Sequence, residues 1–243
     1  MVVSVLIACI LAVVFIAARV SFASKNNTYG VIVTMLKALA SVGFIAVAIT
    51  AIFMHSGTVH IKGAIFIVAG LIMGLIGDIV LDLKVVYLKS PEEGAYLTGG
   101  MASFAIGHVM YFVAMFLYFG KNVISLSIVG ICVAVAAVVA FAMVFGGEKI
   151  MKFRFGKFTV HSVLYAFVLL FMGAIGVAVW VKGKAINPHV PLFAVGMILF
   201  LLSDVVLTQM YFGGKAKDKL LCVVNHALYY AAQICIAAFV FYM

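Results

Sequence analysis

The chain has 243 residues, 67% of them hydrophobic and 9% charged, a balance that excludes a soluble globular domain of ordinary composition. Its formal net charge of +9 comes from 16 Lys and Arg against 7 Asp and Glu. These cations fall mostly in short segments between apolar runs, where they suit anionic lipid headgroups and argue against a nucleic-acid partner.

With three prolines and apolar runs of about 20 residues, the spans should be helices and not the shorter alternating strands of a barrel. Eight are expected, over residues 2–22, 29–54, 62–83, 98–119, 122–145, 159–182, 190–212 and 220–242. The fold class is therefore an all-α integral membrane protein, one transmembrane domain over 1–243 with no soluble domain left over. The first run opens at Met1 without a basic n-region or a small-residue cleavage site and reads as a mature helix. The second carries Lys37 in its interior. The third contains GLIMGLIGDIVLDLK, Gly70 to Lys84, where Asp78 stands among Ile, Leu, Val and Gly. A carboxylate inside a span costs about 2.5–3.5 kcal/mol on insertion scales, so Asp78 asks for a function. Asp82, one turn on along the same face, reads as a rim residue nearer the interface. The fourth span holds His108 and Tyr111, the sixth Tyr165, and the seventh Ser203 and Asp204. The eighth holds Asn225, His226, Tyr229, Tyr230 and Gln233. Cys9, Cys132, Cys222 and Cys235 lie within spans without metal-ligand spacing and read as free, packed thiols.

The loops after spans 1, 3, 5 and 7 carry eleven cations: Arg19, Lys25, Lys84, Lys89, Lys149, Lys152, Arg154, Lys157, Lys215, Lys217 and Lys219. Those after spans 2, 4 and 6 carry four: Lys62, Lys121, Lys182 and Lys184. The odd loops are thus expected in the cytoplasm and both termini on the other side, in a bacterial inner membrane or, in a eukaryote, the endoplasmic reticulum. Counted at 1.5 Å per residue from the cytoplasmic helix ends, Asp78 lies about 8 Å deep, Tyr165 about 9, Asp204 and Lys37 about 12, and His108 and Tyr230 about 15. Five or six helices so place polar groups in one layer.

GLIGDIVL around Asp78 matches FLLSDVVL around Asp204, and each is followed in the next span by His-x-x-Tyr: His108 with Tyr111, and His226 with Tyr229. The SPEEG loop absorbs the difference in Asp-to-His spacing. Four spans separate the aspartates, so halves 1–120 and 121–243 would share one orientation, and a pseudo-twofold along the membrane normal would bring Asp78 opposite Asp204. Two carboxylates in one low-dielectric cavity do not both ionise readily, which yields one acid and one base. That pair suits hydrolysis through an oxocarbenium-like intermediate. Lys37 could hold a lipid phosphate as a point charge. No GxSxG elbow is present. The two His and two Asp leave a zinc site open as an alternative, and paired carboxylates also fit a proton-coupled transporter or, with no chemistry, a membrane scaffold or receptor.

At these residues the sequence resembles the YhhN-like lysoplasmalogenase family. The matching features are Lys37; Gly77, Asp78 and Leu81; Gly100, Phe104, His108 and Tyr111; Gly196, Phe200, Ser203, Asp204 and Leu207; and Tyr230 with Gln233. The resemblance implies cleavage of the vinyl ether bond of a lysoplasmalogen to a fatty aldehyde and glycerophosphoethanolamine or glycerophosphocholine, with no cofactor, and a lysophospholipid and membrane lipids as partners. Asp78 and Asp204 would be acid and base. His108, Tyr111, His226 and Tyr229 would tune them or position water.

Overall fold

A computed structural model describes residues 1–22, 27–86 and 93–243. Of the expected loop features, Lys25, Lys89 and residues 90–92 of SPEEG lie outside the described residues. The described chain forms eight helices, each long and apolar enough to cross a membrane, and no strand. They are α1 Val2–Phe22, α2 Asn27–Met54, α3 Ile61–Val86, α4 Glu93–Val123, α5 Leu126–Ile150, α6 Thr159–Gly183, α7 Val190–Phe212 and α8 Lys219–Phe239.

The spans agree with the hydropathy reading within a few residues, and the differences lie at helix ends. Helix α4 begins five residues before the expected limit, because its first turn continues beyond the most apolar stretch. Its expected end at 119 falls where Gly120, at φ 64° and ψ −175°, interrupts the helix before Val123. Helix α5 begins behind the Ser125 N-cap, whose side chain accepts from the Ile128 N–H. Helix α8 begins behind Asp218, whose Oδ1 accepts from the Leu220 and Leu221 N–H groups. Its expected last turn is a 3-10 turn over Val240–Tyr242.

Packing follows buried stripes. On α1, Ala8, Ala12 and Phe15 turn inward; on α2, Val33, Ala40, Phe44 and Ala48 do. Helices α3 and α4 form the most extensive pair, followed by α7 and α8. Helix α8 also touches α1, α2 and α3, so its polar residues reach three other helices. Helix α5 leans chiefly on α6 and is among the least buried spans.

Both termini lie at one end of the bundle. The His60 N–H donates to Met243 O at 3.1 Å, Asn187 Nδ2 to Tyr242 O at 2.6 Å, and the Met1 ammonium sits 3.8 Å from Met54 Sδ. At the opposite end the Arg154 N–H donates to Phe212 O at 3.0 Å and pins the α5–α6 loop to the end of α7.

Candidate functional site

Lys37 is the centre of a buried ionic cluster. Its Nζ lies 3.3 Å from Asp78 Oδ1 and 3.1 Å from Asp82 Oδ1. All three side chains are almost wholly removed from solvent and lipid. Helix geometry produces the arrangement: Asp78 and Asp82, four apart on α3, stand one above the other, and one lysine from α2 bridges them. Asp78 Oδ2 accepts from Ser41 Oγ at 2.6 Å and from Tyr229 OH at 2.8 Å. Asp82 Oδ2 accepts from Arg19 Nη1 at 3.0 Å and from Thr34 Oγ1 at 3.3 Å. Two cations thus face two carboxylates, and the acids' oxygens are fully partnered. Removing two charges from water is repaid only under such pairing.

The support continues through α8. Tyr111 OH donates to Gln233 Oε1 at 2.9 Å, and Gln233 Nε2 donates to Tyr229 OH at 3.2 Å, which in turn donates to Asp78. Gly74 makes room for this relay, since a Cβ there would stand 2.6 Å from Gln233 Nε2. Tyr230 OH donates to Lys37 O at 3.2 Å and fixes the turn that presents the lysine.

Asp204 occupies a different setting. Its Oδ2 accepts from Tyr165 OH of α6 at 2.5 Å, and Ser203 Oγ lies 3.5 Å from Oδ1. Ser203 bonds mainly to Phe200 O, at 2.8 Å, while Asn225 Nδ2 donates to Ser203 O at 2.7 Å and ties α8 to α7. A small cavity of about 40 Å³ is bordered by Asp78 and Asp204 together, with Lys37, Asp82, His226 and Tyr229. It has room for a water molecule among polar partners. A larger cavity of about 330 Å³ lies beside it, between α5, α6, α7 and the facing parts of α3 and α4. The two share Leu81, Phe104, Asp204, Leu207 and Tyr211 as a common wall. Asp204 therefore stands between a polar chamber and an apolar one.

Several expectations change. Asp82 is no rim residue: it is 1% exposed and holds the second half of the ionic cluster. Lys37 is neutralised by two acids, which leaves it unsuited to a lipid phosphate. His108 does not join the acids: its Nδ1 meets Phe104 O at 2.8 Å, and its ring packs edge-on against Phe200. His226 borders the small cavity, but its Nδ1 meets Cys222 O at 2.7 Å and its ring packs on Phe15. Among the described residues no three His, Cys, Asp or Glu side chains form a metal-ligand group, so the zinc arrangement is not assembled. All four cysteines are free, although Cys9 faces outward and is not packed.

Arg19 and Thr34 partner Asp82 and Ser41 partners Asp78, and none of the three stands out in the sequence. A cation near a helix end ordinarily reaches for the headgroups, so from the sequence Arg19 reads as a loop cation. The signal for the opposite lay in α1 itself: Ala8, Ala12, Phe15 and Arg19 recur at helical spacing on the inward face. Ser41 follows Lys37 by one turn on the buried stripe of α2.

A sequence profile of the YhhN family matches residues 32–240, from early α2 to the end of the chain's last helix. Comparison with curated proteins and with solved structures finds no significant match.

Proposed function

The chain belongs to the YhhN family, and from that premise we propose that it is a membrane lysoplasmalogenase that cleaves the vinyl ether of a single-chain phospholipid with Asp78 and Asp204. The observation that carries the reading is Asp204's place on the wall between the two cavities, with Asp78 on the polar side. An alkenyl chain in the apolar cavity brings its double bond to the Asp204 carboxyl, while water in the polar chamber meets Asp78.

The steps balance with these groups alone. The Asp204 carboxyl, whose Oδ2 is held by Tyr165, delivers a proton to the β-carbon of the vinyl ether, and the α-carbon becomes an oxocarbenium ion. The resulting Asp204 carboxylate lies close to that positive charge and stabilises it. Water adds to the α-carbon as the Asp78 carboxylate, paired with Lys37, accepts its proton. The hemiacetal then collapses as the Asp204 carboxylate takes its hydroxyl proton and the protonated Asp78 carboxyl gives its proton to the leaving glycerol oxygen, which yields the fatty aldehyde and the glycerol alcohol and restores both acids. Lys37, Arg19 and Asp82 act through Asp78 by fixing its position and balancing its charge.

The test is aldehyde release from a lysoplasmalogen by purified protein, for the wild type and for Asp78→Asn and Asp204→Asn. Wild type should release aldehyde with or without a chelator, and each variant should lose at least a hundredfold, the scale of one general acid or base. No release by folded wild type would remove the assignment.

A further inference from the structure

Among the described residues, Ser162 Oγ is the buried side-chain polar atom that has no hydrogen-bond partner. Ser162 lies one turn inside α6, is 5% exposed, and lines the larger cavity with Tyr165 and Asp204. Serines and threonines in helices usually return the hydroxyl to a carbonyl about one turn back. Ser41 does so to Lys37 O at 3.0 Å and Thr208 to Asp204 O at 2.8 Å, but Ser162 does not. An unpaired buried hydroxyl is destabilising. A ligand group that pairs with it would recover that cost on binding.

The surroundings specify which ligand. At the end of the cavity nearest the start of α6 the α5–α6 loop alternates: Phe153 and Phe155 turn inward and line the cavity, while Lys152, Arg154 and Lys157 are exposed just outside the lining. Travelling into the membrane along α6 from this basic rim, one meets Ser162, then Tyr165 with its bound Asp204 about 4.5 Å further on, then Leu169 about 6 Å beyond that. The order is anionic-group partner, hydroxyl partner, acid, apolar wall. A single-chain glycerophospholipid presents its groups in the same order: phosphate, the free hydroxyl of the central glycerol carbon, the ether oxygen with the first chain carbons, and the chain.

We infer that the cavity seats a single-chain phospholipid with its phosphate at the basic α5–α6 rim and its central glycerol hydroxyl hydrogen-bonded to Ser162 Oγ. The inference rests on the lysolipid reading above and adds to it the group that recognises the lyso form. A second acyl chain on the central carbon would replace the hydroxyl with an ester and would have to enter the wall beside Ser162. Exclusion of two-chain lipids then follows from the same contact.

The experiment measures binding, not turnover, so it separates this inference from the hydrolase assignment. Wild-type protein in nanodiscs is titrated with a saturated alkyl-ether lysophospholipid, which has no vinyl ether to cleave, and with its 2-deoxy analogue. The wild type should bind the hydroxylated ligand about tenfold more tightly, the scale of one satisfied hydrogen bond in a buried site. Ser162→Ala should bring the ratio close to one while leaving affinity for the 2-deoxy ligand unchanged, which also reports an intact cavity. A ratio that survives Ser162→Ala would overturn the inference, since Ser162 would then serve only a bound water or the helix. A wild type that does not distinguish the ligands or binds neither overturns it as well, as does a variant that loses both equally. Absent aldehyde release with the ratio intact would instead remove the hydrolase reading and leave the recognition contact standing.

Discussion

Lys37 joins two carboxylates that would otherwise repel each other, and Arg19 determines how it divides between them. Arg19 Nη1 occupies Asp82 Oδ2, so Asp82 does not depend on Lys37 alone, and the lysine remains within 3.3 Å of Asp78. Without the guanidinium, Lys37 would be drawn toward Asp82. Taking one partner from a buried pair costs about 3–5 kcal/mol. Arg19→Gln is therefore expected to lower thermal stability and turnover together, while Arg19→Lys restores most of both. Lys37→Met, which leaves both acids without their bridge, should be the more damaging, and a melting series in detergent would check the order. Equal melting points for Arg19→Gln and wild type would show that the Arg19–Asp82 contact is incidental. Asp78 and Lys37 were visible in the sequence because charge inside an apolar run is conspicuous. Arg19 was not, because a cation three residues from a helix end looks the same whether it faces headgroups or a buried acid.

At the scale of elements, the α3–α4 pair holds Asp78 at its depth through close backbone approach. A Cβ on Gly107 would stand 3.0 Å from Gly70 O, and one on Gly70 would stand 2.9 Å from Gly107 O and collide with the Tyr111 ring. Ser103 Oγ adds a bond of 2.6 Å to Met73 O across the same seam. Small residues that admit such contact, with a hydroxyl linking the helices, are a common way to associate spans in lipid, where hydrophobic burial gives little preference. Gly107→Leu is expected to part the helices, displace Tyr111 and so disturb its bond to Gln233. The loss of activity should come with a lower melting point, whereas Asp204→Asn should lose activity with a near-normal one. Comparing the two variants by melting and aldehyde release would distinguish scaffold from chemistry. The spans themselves were legible from hydropathy. Which helix α3 would meet was not legible, because in an apolar chain every face is a candidate until polar partners and small residues select one.

At the scale of the molecule, eight alternating spans put the termini and the α2–α3, α4–α5 and α6–α7 connections at one end and the α5–α6 and α7–α8 connections at the other. The described cations follow that division: Lys149, Lys152, Arg154, Lys157, Lys215, Lys217 and Lys219 belong to the second end, and Lys62, Lys121, Lys182 and Lys184 to the first. Since positive loops stay on the cytoplasmic side, the α5–α6 loop, whose Phe153 and Phe155 line the larger cavity, should face the cytoplasmic leaflet, with both termini across the membrane. For the lysolipid hydrolysis proposed above, this orientation decides which leaflet supplies the lipid. Helix α5, which leans chiefly on α6, forms one wall of the cavity at the edge of the bundle. A reporter fused after Met243 that is active only outside the cytoplasm should therefore be active. A cysteine placed at Lys152, in a background with Cys9 replaced, should resist a membrane-impermeant maleimide in intact cells and react once the membrane is opened. Labelling at position 152 in intact cells would invert the orientation and move lipid supply to the other leaflet. The site's internal geometry would be unchanged, because it depends on the packing of α1, α2, α3, α4, α6, α7 and α8 and not on which side the bundle faces.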